Sequence, residues 1–127
     1  MTAAMEPIDR LIANRCSRME AWLVSESTAI KNTKYPSSPG SRTKGFSQIV
    51  FLKRPENVSC SDWRRHWHDT HTQVAIKTQS NFEYQQNLVT RRLTDGSRNF
   101  AAIVEECFPI SALTDSLSYF DAPGDED

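Results

Sequence analysis

The sequence predicts an α+β fold of the ferredoxin-like type, in which an antiparallel sheet carries its helices on one face. From residue 46 onward the predicted elements follow the order strand, helix, strand, strand, helix, which is the split β-α-β arrangement of such folds. Each predicted strand is a short run with an apolar centre that ends at a proline or a turn. The chain has 127 residues, a length that suits one domain.

The chain is predicted to consist of an N-terminal extension, residues 1–45, and a domain, residues 46–127. Apolar residues at helical spacing predict a short helix within residues 1–17. Residues 19–25 alternate in a way that is typical of a strand. The remainder of the extension is rich in Ser, Thr, Pro and Gly, which predicts a long loop or linker.

Three strands are predicted within the domain, at residues 46–54, 81–92 and 100–108. A second domain helix is predicted after Pro109, where four apolar residues recur at helical spacing: Ile110, Leu113, Leu117 and Phe120. The closing strand that usually follows this helix is missing. We therefore expect residues 19–25 to lie beside the first domain strand, of the same chain or of a partner, and to cover its open edge.

The helix between the first two domain strands is predicted to run from Ser59 to Thr78. Ser59 and Asp62 form the S-x-x-D pattern of a capping box, which satisfies backbone donors of the first turn. On a helical wheel, one stripe is predicted to face the sheet: Trp63, Trp67, Thr70 and Val74.

All three histidines of the chain lie in this helix. His66 and His71 are predicted at the two borders of the apolar stripe, and His68 is predicted to point towards solvent. No metal site is predicted, because His66 faces away from the other two and spacing fixes no third ligand. His71 has two interpretations, a solvated boundary residue or a titratable residue in a pocket between helix and sheet.

Composition excludes several classes of protein. The formal net charge is −1 and there is no long basic run, so a nucleic-acid partner is not expected. No segment is apolar enough for a membrane span or a secretory signal. The three cysteines are widely spaced and predict reduced thiols in a cytoplasmic protein. One small positive cluster is interpreted as an ordinary solvated face: Lys53, Arg54, Arg64 and Arg65.

Two segments, "VFLKRPENVSCSDWRRHWHDTH" and "YQQNLV", resemble the EthD-like family of the dimeric α+β barrel superfamily. That family shows a strand ending in Lys-Arg, a Ser-capped helix with a Trp and a His four residues later, and a Tyr-x-Gln-Asn strand. The matching positions are Lys53, Arg54, Ser59, Trp63, Trp67, His71, Tyr84, Gln86 and Asn87. The resemblance covers residues 46–122 and implies a homodimer in which two ferredoxin-like sheets form one barrel.

The chain departs from a single domain of this family in two respects. It lacks the closing strand, and "RMEAWLVSES" looks like the closing strand of a preceding copy. The chain therefore resembles the second half of a protein with two tandem EthD-like domains.

The resemblance also implies a range of activities. The wider superfamily includes monooxygenases, polyketide cyclases, decarboxylases and lactone isomerases, many of which use no metal or organic cofactor. The chain is therefore expected to be a cofactor-independent enzyme, of oxidoreductase, cyclase or isomerase type, for a small hydrophobic oxygenated molecule. The alternative is a non-catalytic ligand-binding or accessory dimer, because fold alone does not determine function.

His71 and Tyr84 are the candidate catalytic pair, with His71 as general acid or base and Tyr84 as donor to a developing oxyanion. The candidate substrate-binding residues are Trp67, Gln86, Asn87 and Glu106. Strand alternation places Asn87 on the opposite face from Tyr84 and Gln86. Glu105 and Glu106 also face opposite sides, and an inward carboxylate would orient the His71 ring.

Overall fold

A four-stranded antiparallel sheet forms the centre of the protein in a computed structural model, which describes residues 5–121. The strands are β1 (Trp22–Ile30), β2 (Phe46–Leu52), β3 (Glu83–Arg92) and β4 (Ala102–Phe108). Their order across the sheet is β1-β3-β4-β2. The α+β class and the three domain strands are therefore confirmed.

The helices are short. They are α1 (Glu6–Ala13), α2 (Cys60–His66), α3 (Thr72–Thr78) and α4 (Ser116–Tyr119), with a π-helical segment (Trp67–His71) and a 3-10 turn (Ile110–Leu113). The predicted N-terminal helix is confirmed as α1, with Pro7 in its first turn. Its three apolar residues are nevertheless exposed: Ile8, Leu11 and Ile12.

The position predicted for the N-terminal strand is wrong. β1 begins later than residue 19 and pairs antiparallel with β3, at the opposite edge of the sheet from β2. Within the described residues, β2 pairs only with β4 and stays an edge strand. The expected cover of the β2 edge by residues 19–25 is therefore contradicted.

Contacts at the start of β1 explain why this strand lies at the β3 edge of the sheet and not beside β2. Glu20 accepts hydrogen bonds from the backbone N–H of Arg98 at 2.9 Å and from its guanidinium at 3.1 Å. The Trp22 indole N–H donates to the Arg98 carbonyl at 3.0 Å. Arg98 lies in the loop between β3 and β4, so these bonds hold the start of β1 next to β3.

The start of α2 is capped as predicted. The Ser59 hydroxyl accepts a 3.1 Å hydrogen bond from the backbone N–H of Asp62. The reciprocal contact differs from a standard capping box, because the Asp62 carboxylate accepts from the Ser59 hydroxyl at 2.7 Å instead of from its backbone.

The π-helical segment changes which face of the helix is buried. The backbone N–H of Thr72 bonds to the carbonyl of Trp67, five residues earlier, so one extra residue enters this turn. Beyond Trp67 the buried positions are Thr72 and Ala75, whereas Thr70 and Val74 are exposed. The predicted stripe is therefore correct for the two tryptophans and wrong after them.

The helix predicted after Pro109 is also wrong in its packing. The chain forms a 3-10 turn and the single-turn α4 instead of one continuous amphipathic helix. The four apolar residues on which the prediction rested are each more than half exposed: Ile110, Leu113, Leu117 and Phe120. Ala112 is buried in their place, and the Tyr119 ring stacks on Phe108 with centroids 4.5 Å apart.

The core lies between the sheet and the helical layer formed by α2, the π segment and α3. Its buried members are Trp67, Ala75, Tyr84, Ala102 and Val104. Strand alternation sends the other set of side chains to the outer face of the sheet, which no helix within residues 5–121 covers. Ile49 and Phe51 on this outer face are 49% and 46% exposed.

Candidate functional site

A cavity of about 170 Å³ lies beside the histidine-bearing helix, and we refer to it as the histidine cavity. Three apolar residues line it, Leu52, Trp63 and Trp67. Three basic residues complete the lining, Lys53, His66 and His71. Leu52 is the last residue of β2, Lys53 follows it directly, and the helix contributes the others. The cavity therefore lies at the open edge of the sheet.

The two tryptophans form one wall of this cavity. Their ring centroids are 5.1 Å apart, and Trp67 is buried whereas Trp63 is only partly so. The indole N–H of Trp67 is buried and has no hydrogen-bond partner within residues 5–121. A buried donor of this kind is usually satisfied by a water molecule or a ligand oxygen.

One of the three histidines has surroundings that differ from those predicted. His66 and His71 both line the histidine cavity, which agrees with their predicted border positions. His68 was expected to point towards solvent, but its ring packs on Trp67 with centroids 4.6 Å apart and it lines a different cavity.

Glu106 is the carboxylate that faces the helical layer, and only 7% of this residue is exposed. The side-chain amide of Asn81 donates a 3.1 Å hydrogen bond to its Oε1 atom. Burial raises the pKa of Glu106, while the Asn81 hydrogen bond and the positive charge of His71 act in the opposite direction. Glu105, its neighbour in sequence, lies on the outer face and accepts a 2.6 Å hydrogen bond from Ser47.

Tyr84 lies deeper than a substrate-contacting residue would. It is 1% exposed and does not line the histidine cavity. Burial raises its pKa, a hydrogen bond with Gln86 lowers it, and the negative charge of Glu106 raises it further. Tyr84 and His71 are therefore linked electrostatically through Glu106, and the structure contains no hydrogen bond between them.

The remaining candidate residues separate into two groups. Gln86 is buried, and its amide donates a 2.7 Å hydrogen bond to the Thr72 hydroxyl, which donates to the Trp67 carbonyl at 2.8 Å. Gln86 thus supports the π segment and its amide donor is not free for a ligand. Asn87 pairs with Ile103 and lies on the outer face, so the structure does not bring it to the cavity.

Several residues near Glu106 were not identified from the sequence. Asn81 holds the carboxylate, and its own Oδ1 atom is buried without a partner in the described part of the chain. The Tyr119 hydroxyl donates a 3.3 Å hydrogen bond to Gln48, which pairs with Glu106 across β2 and β4. Strand register would have placed Gln48 beside Glu106, but no sequence pattern indicates Asn81 or Tyr119.

The described residues were also compared with the requirements of a metal site and of a membrane span; neither is met. No three His, Cys, Asp or Glu residues there come together as a metal-binding group. No helix among residues 5–121 has the length and apolar character needed to cross a membrane.

Comparison with known proteins identifies the family of this chain. No curated protein and no solved structure shows significant similarity to the chain. The family model of the EthD domain matches residues 55–123, a segment that contains the histidine helix, β3, β4 and the C-terminal turns. Because this match covers more than half of the chain, the protein belongs to the EthD domain family, which is part of the dimeric α+β barrel superfamily.

Proposed function

We propose that the protein is a cofactor-independent enzyme that transfers a proton to or from a small, hydrophobic, oxygenated molecule bound in the histidine cavity. The reaction is of the oxidoreductase, cyclase or isomerase type found among dimeric α+β barrel proteins. The observation that carries this proposal is the position of His71, which lines an aromatic cavity and also interacts electrostatically with the buried Glu106.

The cavity suits a ligand that is mostly apolar and carries oxygen. Trp63, Trp67 and Leu52 supply apolar surface, while His71 and Lys53 supply polar groups at its border. Such a combination, a largely apolar lining with few polar groups, is typical of small-molecule sites.

In this proposal His71 acts as the general acid or base, because imidazole changes its protonation state near neutral pH. An ionised Glu106 would stabilise the imidazolium that forms when His71 takes a proton. The raised pKa of Tyr84 keeps its hydroxyl protonated, so that Tyr84 does not act as a base.

A second function is supported by a specific observation. Tyr84 lies outside the lining of the histidine cavity, so the predicted pair of catalytic residues does not converge on one point. This favours a non-catalytic protein that binds the same class of molecule, in which His71 only hydrogen bonds to the ligand.

The test begins with a panel of neutral aromatic ketones, phenols and lactones. Binding would be followed by the fluorescence of the tryptophans in the cavity wall, and turnover by chromatography of the reaction mixture. We expect His71→Asn to reduce turnover by about 100-fold or more, the usual contribution of general acid-base catalysis. The matched control is His68→Asn, because His68 is on the same helix but outside the histidine cavity.

The two functions predict different results. If His71→Asn abolishes turnover and leaves ligand affinity nearly unchanged, His71 performs chemistry. If a ligand binds and no product forms with any compound of the panel, the binding function is correct. If His68→Asn and His71→Asn have equal effects, neither proposal for His71 holds.

A further inference from the structure

A second cavity, of about 400 Å³, is lined by four arginines, and we refer to it as the arginine cavity. Arg54 precedes α2, Arg64 is within α2, and Arg91 and Arg92 end β3. The sequence had indicated only a small solvated cluster around Arg54 and Arg64. The fold adds two arginines from a strand almost 30 positions away.

Within the described part of the chain, acidic side chains do not neutralise these arginines. The lining of the arginine cavity contains no Asp or Glu. Within residues 5–121, no carboxylate lies within ion-pair distance of any of the four guanidinium groups. Because like charges in one cavity repel one another, a bound anion would lower the free energy of this arrangement.

Hydrogen bonds to backbone carbonyls hold two of the four guanidinium groups in place, and the other two are available to bind a ligand. Arg92 donates a 3.0 Å hydrogen bond to the Ser97 carbonyl, and Arg54 donates to the carbonyls of Pro55 and Val58. The side chains of Arg64 and Arg91 make no hydrogen bond to the described residues. The two fixed guanidinium groups provide a preformed positive potential. The two without hydrogen bonds can each donate a pair of parallel N–H bonds to a carboxylate or a phosphate.

The cavity also has an aromatic part. Trp63, which forms a wall of the histidine cavity, lines the arginine cavity as well, together with Phe100. The Phe100 ring itself is buried, and it packs on the rings of Trp22 and Phe51 with centroids 5.6 and 4.9 Å apart. The available aromatic surface is therefore the partly exposed Trp63, and a planar ring next to several cations is complementary to an organic anion with a flat apolar body.

We propose that the arginine cavity is a binding site for a small organic anion, a carboxylate or phosphate carried on a planar apolar group. A small molecule fits better than a nucleic acid, since the formal net charge of the chain is −1 and the arginines surround a cavity instead of forming an extended stripe. The proposal does not depend on the function proposed for His71, because it concerns binding and not turnover.

The experiment uses three probes of similar shape on the full chain: 1-naphthyl phosphate, 1-naphthoate and 1-naphthylamine, which is uncharged at neutral pH and carries no oxygen. Binding is measured by calorimetry at two salt concentrations. We expect one or both anions to bind, with an affinity that falls as salt rises, and the neutral probe to bind at least about tenfold more weakly, since hydrogen bonds to charged groups are strong. Comparison of the two anions separates a phosphate site from a carboxylate site.

The variants Arg64→Gln and Arg91→Gln remove the guanidinium groups that have no partner in the described chain, so folding should be preserved. Each is expected to weaken anion binding about tenfold. Arg42→Gln is the control, because it changes the net charge equally but lies outside the arginine cavity. His71→Asn should leave anion binding unchanged, which separates this site from the proposed proton-transfer site.

Three results would overturn the proposal. The first is equal affinity for the anions and for 1-naphthylamine. The second is an equal loss of affinity in Arg42→Gln and Arg64→Gln, which would mean that only the net charge matters. The third is tight binding of a short single-stranded oligonucleotide with no binding of either small anion, which would identify a nucleic-acid surface instead.

Discussion

The side-chain amide of Asn81 donates a 3.1 Å hydrogen bond to the carboxyl group of Glu106. Asn81 precedes β3 and Glu106 lies near the end of β4, so this contact joins neighbouring elements on the helix-facing side of the sheet. An amide can donate to a carboxyl group in either protonation state. The hydrogen bond therefore holds Glu106 in place while its burial makes ionisation unfavourable.

Glu106 is expected to give the protein a characteristic pH dependence. Its folded-state pKa is raised by burial, so its contribution to stability is fully present below the ordinary glutamate pKa and is lost as pH rises through the raised value. Glu106→Gln keeps the amide hydrogen bond and removes the charge. We expect the variant to gain stability relative to the wild type as pH rises through this interval, measured by urea unfolding at a series of pH values.

Glu105→Gln is the matched control for this experiment. Glu105 is the adjacent residue of β4 but faces the outer side of the sheet, where it bonds to Ser47. A similar rise in relative stability in Glu105→Gln would show that burial of Glu106 is not the cause.

Glu20 is expected to show the opposite pH dependence. The backbone hydrogen bond from Arg98 is the largest cause of its lowered pKa, and the charges of Arg98 and Arg18 lower it further. Its stabilising contribution is therefore present above the ordinary glutamate pKa and is lost as pH falls through the lowered folded-state value. Glu20→Gln should be less stable than the wild type at neutral pH, and the difference should shrink in acid.

Thermal unfolding at several pH values would measure this difference. Glu26→Gln is a suitable control, because Glu26 is an exposed residue of β1. If the deficit of Glu20→Gln persisted unchanged well below the glutamate pKa, the contact with Arg98 would not depend on the charge of Glu20.

The sequence predicted the order of elements but not the edge that β1 occupies. Apolar runs and turn residues located β2, β3 and β4, because they report burial along the chain. The choice between two open edges depends instead on contacts between distant residues, such as Glu20 with Arg98. Neither residue belongs to a pattern that would identify its partner.

The sequence predicted only part of the candidate site, because the rest again depends on contacts between distant residues. A regular helical wheel placed Trp63, Trp67 and His71 correctly, but it misplaced His68 and Thr70, which lie within the π segment. The extra residue in that turn depends on Thr72, whose hydroxyl bonds to the Trp67 carbonyl and to Gln86 on β3. That tertiary contact changes which later positions of the helix are buried. The local sequence contains no propensity that would predict it.

Gly45 is predicted to be intolerant of substitution. Its φ angle is +112°, and a Cβ atom there would lie 2.2 Å from the Phe108 carbonyl oxygen, which belongs to the strand that pairs with β2. Gly45→Ala should therefore force β2 away from β4 and lower the free energy of unfolding by about 3 kcal/mol or more. Gly40→Ala tests the strain alone, because Gly40 has a φ angle of +81° with open space around it.

The cost expected for Gly40→Ala is about 1 kcal/mol, the penalty for a left-handed residue with a side chain. Urea unfolding of both variants measures the two values. Equal losses would mean that backbone conformation dominates and that the approach to Phe108 is relieved by a small shift.

The protein is predicted to form a homodimer in which the outer faces of the two sheets are in contact. Ile49 and Phe51 are about half exposed on this face, and the described helices all pack elsewhere or at its ends. Exposed apolar side chains in adjacent outward positions of one strand are typical of a buried contact between proteins. The EthD family belongs to a superfamily of dimeric barrels, which supports a contact between two sheets without establishing it for this chain.

Light scattering at micromolar concentration should give the mass of a dimer or of a larger assembly built from it. Ile49→Lys places a charge in the proposed contact and should shift the population towards the monomer, since burying an unpaired charge is unfavourable. Val74→Lys is the matched control, because Val74 is 54% exposed on α3 and lies away from the outer face. A wild-type protein that is monomeric throughout would contradict the prediction. If Val74→Lys dissociated the assembly and Ile49→Lys did not, the contact would be formed by the helices instead of by the sheet.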